Sequence, residues 1–254
     1  MLVVVSPAKK LNMQPIDEVA ASEPFFSKNV SELVGFAKEL SVEKLQKTMG
    51  LSQNLAELNF ARFAAFGTQE KKPAILAFNG DTYQGLNAES LSKQDLDWAQ
   101  NYLRILSGLY GLLRPLDAIE PYRLEMGSKL EIGGEKSLYG YWGSKLADAL
   151  NEQAGESGTN LLVNCASQEY FNAIDTDSLQ LNVITPVFLE TKGNKARVIS
   201  FFAKKARGMM ARFIVQNRLT KMDSLKKFEE GGYKFDPDQS DDEKLIFSRP
   251  HPAK

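Results

Sequence analysis

The chain has 254 residues, 43% of them hydrophobic and 25% charged, which suits a folded globular protein and excludes a disordered tail or a fibrous repeat. Its 31 Lys and Arg nearly balance 32 Asp and Glu, so net charge alone announces no polyanionic partner. One cysteine, Cys165, and one histidine, His251, exclude an internal disulfide and any zinc or haem site built on several such ligands. His251 sits between Pro250 and Pro252 near the C-terminus, a poor place for a nucleophile pair with Cys165. Catalysis, where present, would run on carboxylates, Lys, Arg, Tyr or Ser.

In chain order, Leu2-Val3-Val4-Val5 is β-branched and too short for a helix, which predicts a buried first strand. No basic segment precedes it, no small-residue cleavage site follows, and no long apolar stretch lies elsewhere, so a cytoplasmic location with no membrane contact is expected. Helical patterns follow over Ser31 to Leu40, Val42 to Met49 and Asn54 to Phe66, then a predicted strand at Ala74 to Phe78 and a helix over Lys93 to Leu113. A helix over Tyr141 to Glu152 precedes strands at Leu161 to Cys165, Val183 to Leu189 and Arg197 to Phe201. A helix over Phe202 to Arg218 and a late strand at Leu245 to Phe247 complete the pattern. Alternating continuous apolar strands and helices predict a single α/β domain with a sheet covered on both faces and a helical excursion near residues 27 to 66.

Four predicted strands run into polar turns: Ser6-Pro7-Ala8-Lys9, Asn79-Gly80-Asp81-Thr82-Tyr83, Ala166-Ser167-Gln168-Glu169-Tyr170 and Lys204-Lys205-Ala206-Arg207. In open α/β sheets ligands gather outside the carboxyl ends of strands, so parallel strands would bring these turns to one cleft. Taken singly, Asn79-Gly80-Asp81 reads as an ordinary turn and Ser167 as a helix N-cap; four together point to a site. The stretch from Leu106 to Gly127 adds Arg114, Asp117, Glu120, Arg123 and Glu125 amid two prolines. Its arginines either bind phosphate or pair with Asp117 and Glu125 as structural ion pairs.

Residues 191 to 222 hold nine basic side chains and no acidic one, leaving 22 basic against 32 acidic residues, a charge of −10, elsewhere. At about 100° per residue, Lys204, Arg207 and Arg218 share a helical stripe, Lys205 and Arg212 flank it, and Phe202, Met209 and Phe213 face away. Such a face suits phosphates, because each one neutralised releases counterions; a solvated face balanced by acidic neighbours is the alternative. Near residues 42 to 66, a helix, the turn Gly50-Leu51-Ser52 and a second helix read as a hairpin whose backbone N–H groups can meet a phosphate. An ordinary pair of antiparallel helices would look the same, and Ser52 stands where a second glycine is usual.

Together these motifs resemble one family, the YaaA peroxide stress proteins of bacteria, over essentially the whole chain. The resemblance rests on Ser6 to Lys9, Phe78 to Leu86, Leu106 to Asp117, Pro121 to Gly127, Asn164 to Phe171 and Ile199 to Gly208. The chain departs from the family pattern at Asn79, Cys165 and Phe202, where Lys, Leu and Tyr are expected. The resemblance implies a compact fold with a mixed sheet covered by helices, a helix-hairpin-helix-like element and a positive cleft able to hold DNA. It also implies a role in peroxide stress, limiting unincorporated iron and oxidative damage to DNA.

Two functional expectations follow. In the first, Lys204, Lys205, Arg207 and Arg212 contact phosphates of double-stranded DNA, Lys9, Arg114 and Arg123 extend the cleft, and Gly50 and Ser52 dock on the backbone. Few base-reading residues are evident, so recognition of bent or junction-containing forms rather than of sequence is expected. In the second, Asp81, Glu125 or Glu169 is general acid or base in an enzyme acting on a nucleotide or nucleic-acid base, with Lys9, Lys204 or Arg123 stabilising negative charge. Neither implies a cofactor or a resident metal.

Overall fold

The protein is described from a computed structural model, over residues 1–16, 19–193 and 195–252. Its first half runs β1 (Leu2–Val5), α1 (Ser27–Lys38), α2 (Val42–Met49), α3 (Gln53–Ala64), β2 (Lys72–Pro73), α4 (Ala74–Ala77), α5 (Asp81–Leu86), α6 (Lys93–Tyr102), β3 (Leu103–Ser107), β4 (Gly111–Leu113) and β5 (Ala118–Ile119). Then follow α7 (Leu138–Trp142), α8 (Lys145–Glu156), β6 (Leu161–Cys165), α9 (Gln168–Phe171), β7 (Asn182–Lys192), β8 (Lys195–Arg197), α10 (Ser200–Gln216), α11 (Met222–Leu225), β9 (Lys234–Phe235) and β10 (Lys244–Pro250).

Eight strands form one mixed sheet, with β4-β3-β1-β6-β7-β10-β9 in order and β8 paired to β7. Five of them, β3, β1, β6, β7 and β10, are parallel. Counted by their own sequence, these five lie in the order 2-1-3-4-5, that of a doubly wound sheet whose switch point falls between its first and third parallel strands. That point is the carboxyl end of β1 beside β6, where Val5 pairs in register with Cys165. β1 is buried along its whole length, as its four apolar residues require of a strand covered on both faces. β7 alternates buried and half-buried positions. One continuous apolar core joins β1, β3 and β6 to Trp142 and to an aromatic group of Phe188, Phe228, Tyr233 and Phe247 beside β7 and β10, making a single compact α/β domain.

The structure departs from the sequence reading at several places, among them Tyr141 to Glu152, which divides at Gly143 between α7 and α8. Ala74–Ala77 is a single helical turn, not a strand: Ala74 and Ile75 N–H groups donate to Asp117 and Pro115 carbonyls, both at 2.9 Å, and Phe78 N–H closes on Ala74. A short buried apolar run carries no period that separates helix from strand. The helical pattern from Lys93 stops at Tyr102, because Leu103–Ile105 enter the sheet beside Val3–Val5. The run Arg197 to Phe201 divides, β8 ending at Arg197 and α10 starting at Ser200, where the Ile199 carbonyl accepts from Ala203 N–H at 2.9 Å.

The helical excursion holds three helices, of which α2 and α3 are joined by Gly50-Leu51-Ser52. Ser41 Oγ accepts from Lys44 N–H to start α2, and Gly50, at φ 61°, ends it in the left-handed conformation that glycine adopts without strain.

α10 lies over β1, β6 and β7 and crosses α5 at very short range. A Cβ on Gly208 would sit 1.8 Å from the Thr82 carbonyl oxygen, and one on Gly85 would sit 2.0 Å from that of Lys205. The two backbones therefore touch through reciprocal glycines. Gly208→Ala and Gly85→Ala must force the helices apart, at a cost of about 3 kcal/mol or more and a Tm lower by roughly 6–12 °C. Gly35→Ala on α1, with no atom within 4 Å of its added Cβ, is the control. Thermal unfolding should find it neutral or stabilised, by up to about 1 kcal/mol.

Candidate functional site: a cationic cleft at the strand ends

A cleft of about 540 Å³ opens at the switch point of the sheet. Its walls come from the turn after β1 (Ser6–Leu11), from Leu55, Leu58 and Arg62 of α3, from Asn79–Tyr83 at the head of α5, and from Lys204 and Arg207 of α10. Arg123, Cys165, Ser167, Glu169 and Tyr170 complete it. The four segments singled out in the sequence thus meet in one place, but only those after β1 and β6 are strand-end turns: Asn79–Tyr83 follows the helical turn α4, and Lys204 and Arg207 lie within α10. The β1 and β6 ends are tied directly: Ser167 N–H donates to Ser6 Oγ at 2.8 Å, and Ser6 Oγ–H donates to Ser167 Oγ at 3.2 Å. Tyr83 closes the Asn79–Tyr83 turn onto the first, its hydroxyl donating to the Ser6 carbonyl at 3.1 Å.

Six cations line this cleft (Lys9, Lys10, Arg62, Arg123, Lys204, Arg207) against two carboxylates, Asp81 and Glu169. Glu125 adjoins it and takes up part of the excess: its Oε1 accepts from Arg123 Nε at 2.9 Å and lies 3.4 Å from Lys9 Nζ. Its Oε2 is buried without a hydrogen-bond partner. Glu169 Oε1 accepts from Gly127 N–H at 3.2 Å. Asp81 and Lys204 make no side-chain hydrogen bond or ion pair among the described residues, although both line the cleft. Burial, and then the neighbouring Arg123 charge, pull the Arg62 guanidinium below its ordinary pKa; burial does the same to Arg207. Burial pushes Tyr83 and Tyr170 well above the usual phenol range, so both are neutral walls.

The remaining sequence candidates lie elsewhere. Arg114 pairs with the fully buried Asp117, whose Oδ1 lies 2.9 Å from the Arg114 terminal nitrogen and also accepts from Ser22 Oγ at 2.7 Å. Arg212 donates to the Leu86 and Asn87 carbonyls at 3.0 and 2.8 Å and so closes the end of α5. Arg218, beyond the end of α10, donates to Asp95 at 2.7 Å. Lys205 faces a separate hollow with Phe201, Phe202 and Arg249. Gly50 and Ser52 are exposed at the tip of the α2–α3 turn, at the N-terminal end of the helix whose Leu55, Leu58 and Arg62 form a cleft wall. Among the described residues no three His, Cys, Asp or Glu side chains gather as metal ligands.

Of the cleft cations, the sequence reading passed over Lys10, next to Lys9, and Arg62 on α3. The signal of Arg62 was present: it follows Leu55 and Leu58 at helical spacing, a cation on an otherwise apolar stripe.

The fold and the cleft define a doubly wound α/β protein with a cationic hollow at its switch point. Residues 1–239 match the family described as peroxide stress protein YaaA. A UPF0246 protein of Ruegeria pomeroyi is 55% identical over 255 residues, 99% of each chain. Another from Dinoroseobacter shibae is 54% identical, over 99% of this chain and 96% of its own, and one from Paraburkholderia phytofirmans is 46% identical over 98% of both. The chain belongs to the YaaA (UPF0246) family of peroxide stress proteins. Among its described residues no helix is long and apolar enough to cross a membrane.

Cys165 is 1% exposed, and burial pushes its thiol up to about 12, with Arg207 opposing that shift only in part. A thiol so held stays protonated through the range where a free cysteine, at about 8.5, becomes a nucleophile. Labelling of the native protein with a thiol reagent should therefore be slow and should not accelerate between pH 7.5 and 9.5; the denatured chain should label quickly. Arg114→Ala strands the Asp117 carboxylate and should cost about 3 kcal/mol in urea unfolding.

Proposed function

We propose that the chain binds double-stranded DNA through the cations of the cleft and the backbone of the α2–α3 turn. On this reading it serves the peroxide stress response by shielding DNA from oxidative damage and helping to limit unincorporated iron. The observation that carries the reading is the charge of the cleft: six cations face two carboxylates in a single concavity, with the exposed Gly50 and Ser52 on the turn leading into one wall. Lys and Arg neutralise phosphates regardless of sequence, and exposed N–H groups at a helix start add backbone contacts. Phosphate contacts carry no sequence information, so distorted, bent or junction duplexes are favoured over particular sequences.

Fluorescence anisotropy with linear, bent and junction duplexes tests this. About four phosphate contacts would make log K fall with log salt at a slope of about −4. Lys9→Ala and Lys204→Ala should each flatten that slope by about one. Ser52→Asp keeps a good helix start while placing a negative charge on the turn, and should weaken binding without lowering Tm. Absence of binding at low salt, or binding indifferent to salt, would sink the reading.

Asp81 supports a second reading. An unpaired carboxylate among phosphate-binding cations weakens a pure binder, whereas a general acid or base acting on a nucleotide or a base needs one there. Asp81→Asn should then abolish turnover of such a substrate while leaving DNA affinity equal or higher.

A further inference from the structure

Nine arginines lie along the chain, and seven are accounted for by the protein or by water. Arg104, fully buried, donates to Gln153 and to the Gln100 and Leu103 carbonyls. Arg114, Arg123, Arg218 and Arg249 pair with Asp117, Glu125, Asp95 and Glu190. Arg212 closes α5, and Arg197 is exposed on β8. Arg62 and Arg207 remain. Neither is exposed, neither has a hydrogen-bond or carboxylate partner among the described residues, and both line the same cleft.

A guanidinium drawn partly out of water without a counter-charge destabilises the fold that holds it. Both stand in one hollow, and Arg123 adds to the positive charge around Arg62. Such a pair is what a bound anion relieves. Guanidinium groups bind phosphate oxygens bidentately, and two fixed positive charges match a phosphomonoester, which is close to a dianion at neutral pH, better than a diester with one charge. About 540 Å³ accommodates a nucleoside attached to that phosphate, so a duplex would lie across the mouth of the cleft and only a strand end would enter it.

We propose that the cleft is a seat for one nucleotide phosphomonoester, with Arg62 and Arg207 as its two guanidinium ligands and Lys204 beside them. The inference rests on the nucleic-acid reading above and narrows it: the group recognised is a terminal phosphate, carried by a free nucleotide or by the end of a DNA strand at a nick.

Isothermal titration calorimetry at fixed ionic strength in chloride, with the full chain, compares a deoxynucleoside 5′-monophosphate with its nucleoside. In parallel, anisotropy compares a nicked duplex bearing a 5′-phosphate with the same duplex lacking it. The phosphate should tighten binding at least tenfold in one of these pairs, and which one identifies the source. Arg62→Ala and Arg207→Ala should each remove that gain, and Arg62→Lys should keep part of it. Lys195→Ala, an exposed cation on β8, should change nothing. Neither guanidinium makes a hydrogen bond or ion pair among the described residues, so both alanine variants should melt no lower than the parent, which separates lost ligand from lost fold. Equal binding with and without phosphate in both pairs, or a phosphate gain that survives both alanine substitutions, overturns the seat. Salt-dependent duplex binding in that case would leave the broader DNA reading standing. A phosphate gain for the free nucleotide without any duplex binding would do the reverse.

Discussion

The crossing of α5 and α10 is the constraint on which the rest of the site depends. Gly208 and Gly85 let two backbones meet where any side chain would collide with a carbonyl, and α10 is held over the ends of β1 and β6. That contact seats the Asn79–Tyr83 turn against Lys204 and Arg207, and Tyr83 reaches on to the Ser6 carbonyl. The sheet alone would bring together only the β1 and β6 turns. The third and fourth walls arrive because two helices can approach more closely than side chains ordinarily permit. Arg212 strengthens the arrangement from the far end by capping α5, so one helix supplies both the cleft cations and the brace for the helix opposite.

Charge is placed by the same economy. The basic stretch from residue 191 to 222 reads as one cationic face on a helical wheel, yet the fold distributes it among several tasks. Arg212 serves a helix end, Arg218 answers Asp95 and stacks over Trp98 at 5.8 Å, and Lys205 turns to the far side of α10. Only Lys204 and Arg207 reach the cleft, where Arg62 and Arg123 join them from α3 and from the segment after β5. The cationic character of the cleft is therefore a product of tertiary structure. No single segment carries it.

This explains what was legible in the sequence and what was not. β1 and β6 were readable because short β-branched or apolar runs between polar turns leave little alternative, and their turns announced the cleft. Ala74–Ala77 was misread as a strand because four small and apolar buried residues fit either structure, and the 115–117 segment supplied the hydrogen-bond partners that settled it. β3 was hidden because its register beside β1 is a long-range fact, and the apolar period of α6 runs straight into it. The sequence admits either phosphate or carboxylate as partner of Arg114 and Arg123; the fold pairs both with carboxylates, and leaves Arg123 on the cleft wall as well. Arg62 is hard to read from the sequence because its neighbours there are a helix surface, while the cleft it lines is completed by the turn after β1, the head of α5 and α10.

The contrast between paired and unpaired arginines also bears on how the site is held ready. A side chain fixed by a carboxylate is ordered before any ligand comes, but part of its charge is already spent on its partner. Arg123, held at 2.8 Å by Glu125, is of this kind. Arg62 and Arg207 keep their full charge and are ordered instead by the walls that half-bury them, α3 on one side and α10 on the other. The stability forgone in leaving them unpaired is returned when an anion binds, because desolvation that weakens the free protein strengthens each contact made inside the cleft. The glycine crossing is what makes this sustainable: it fixes α10 through backbone contact, so the helix does not depend on its cleft-facing cations for its place in the fold.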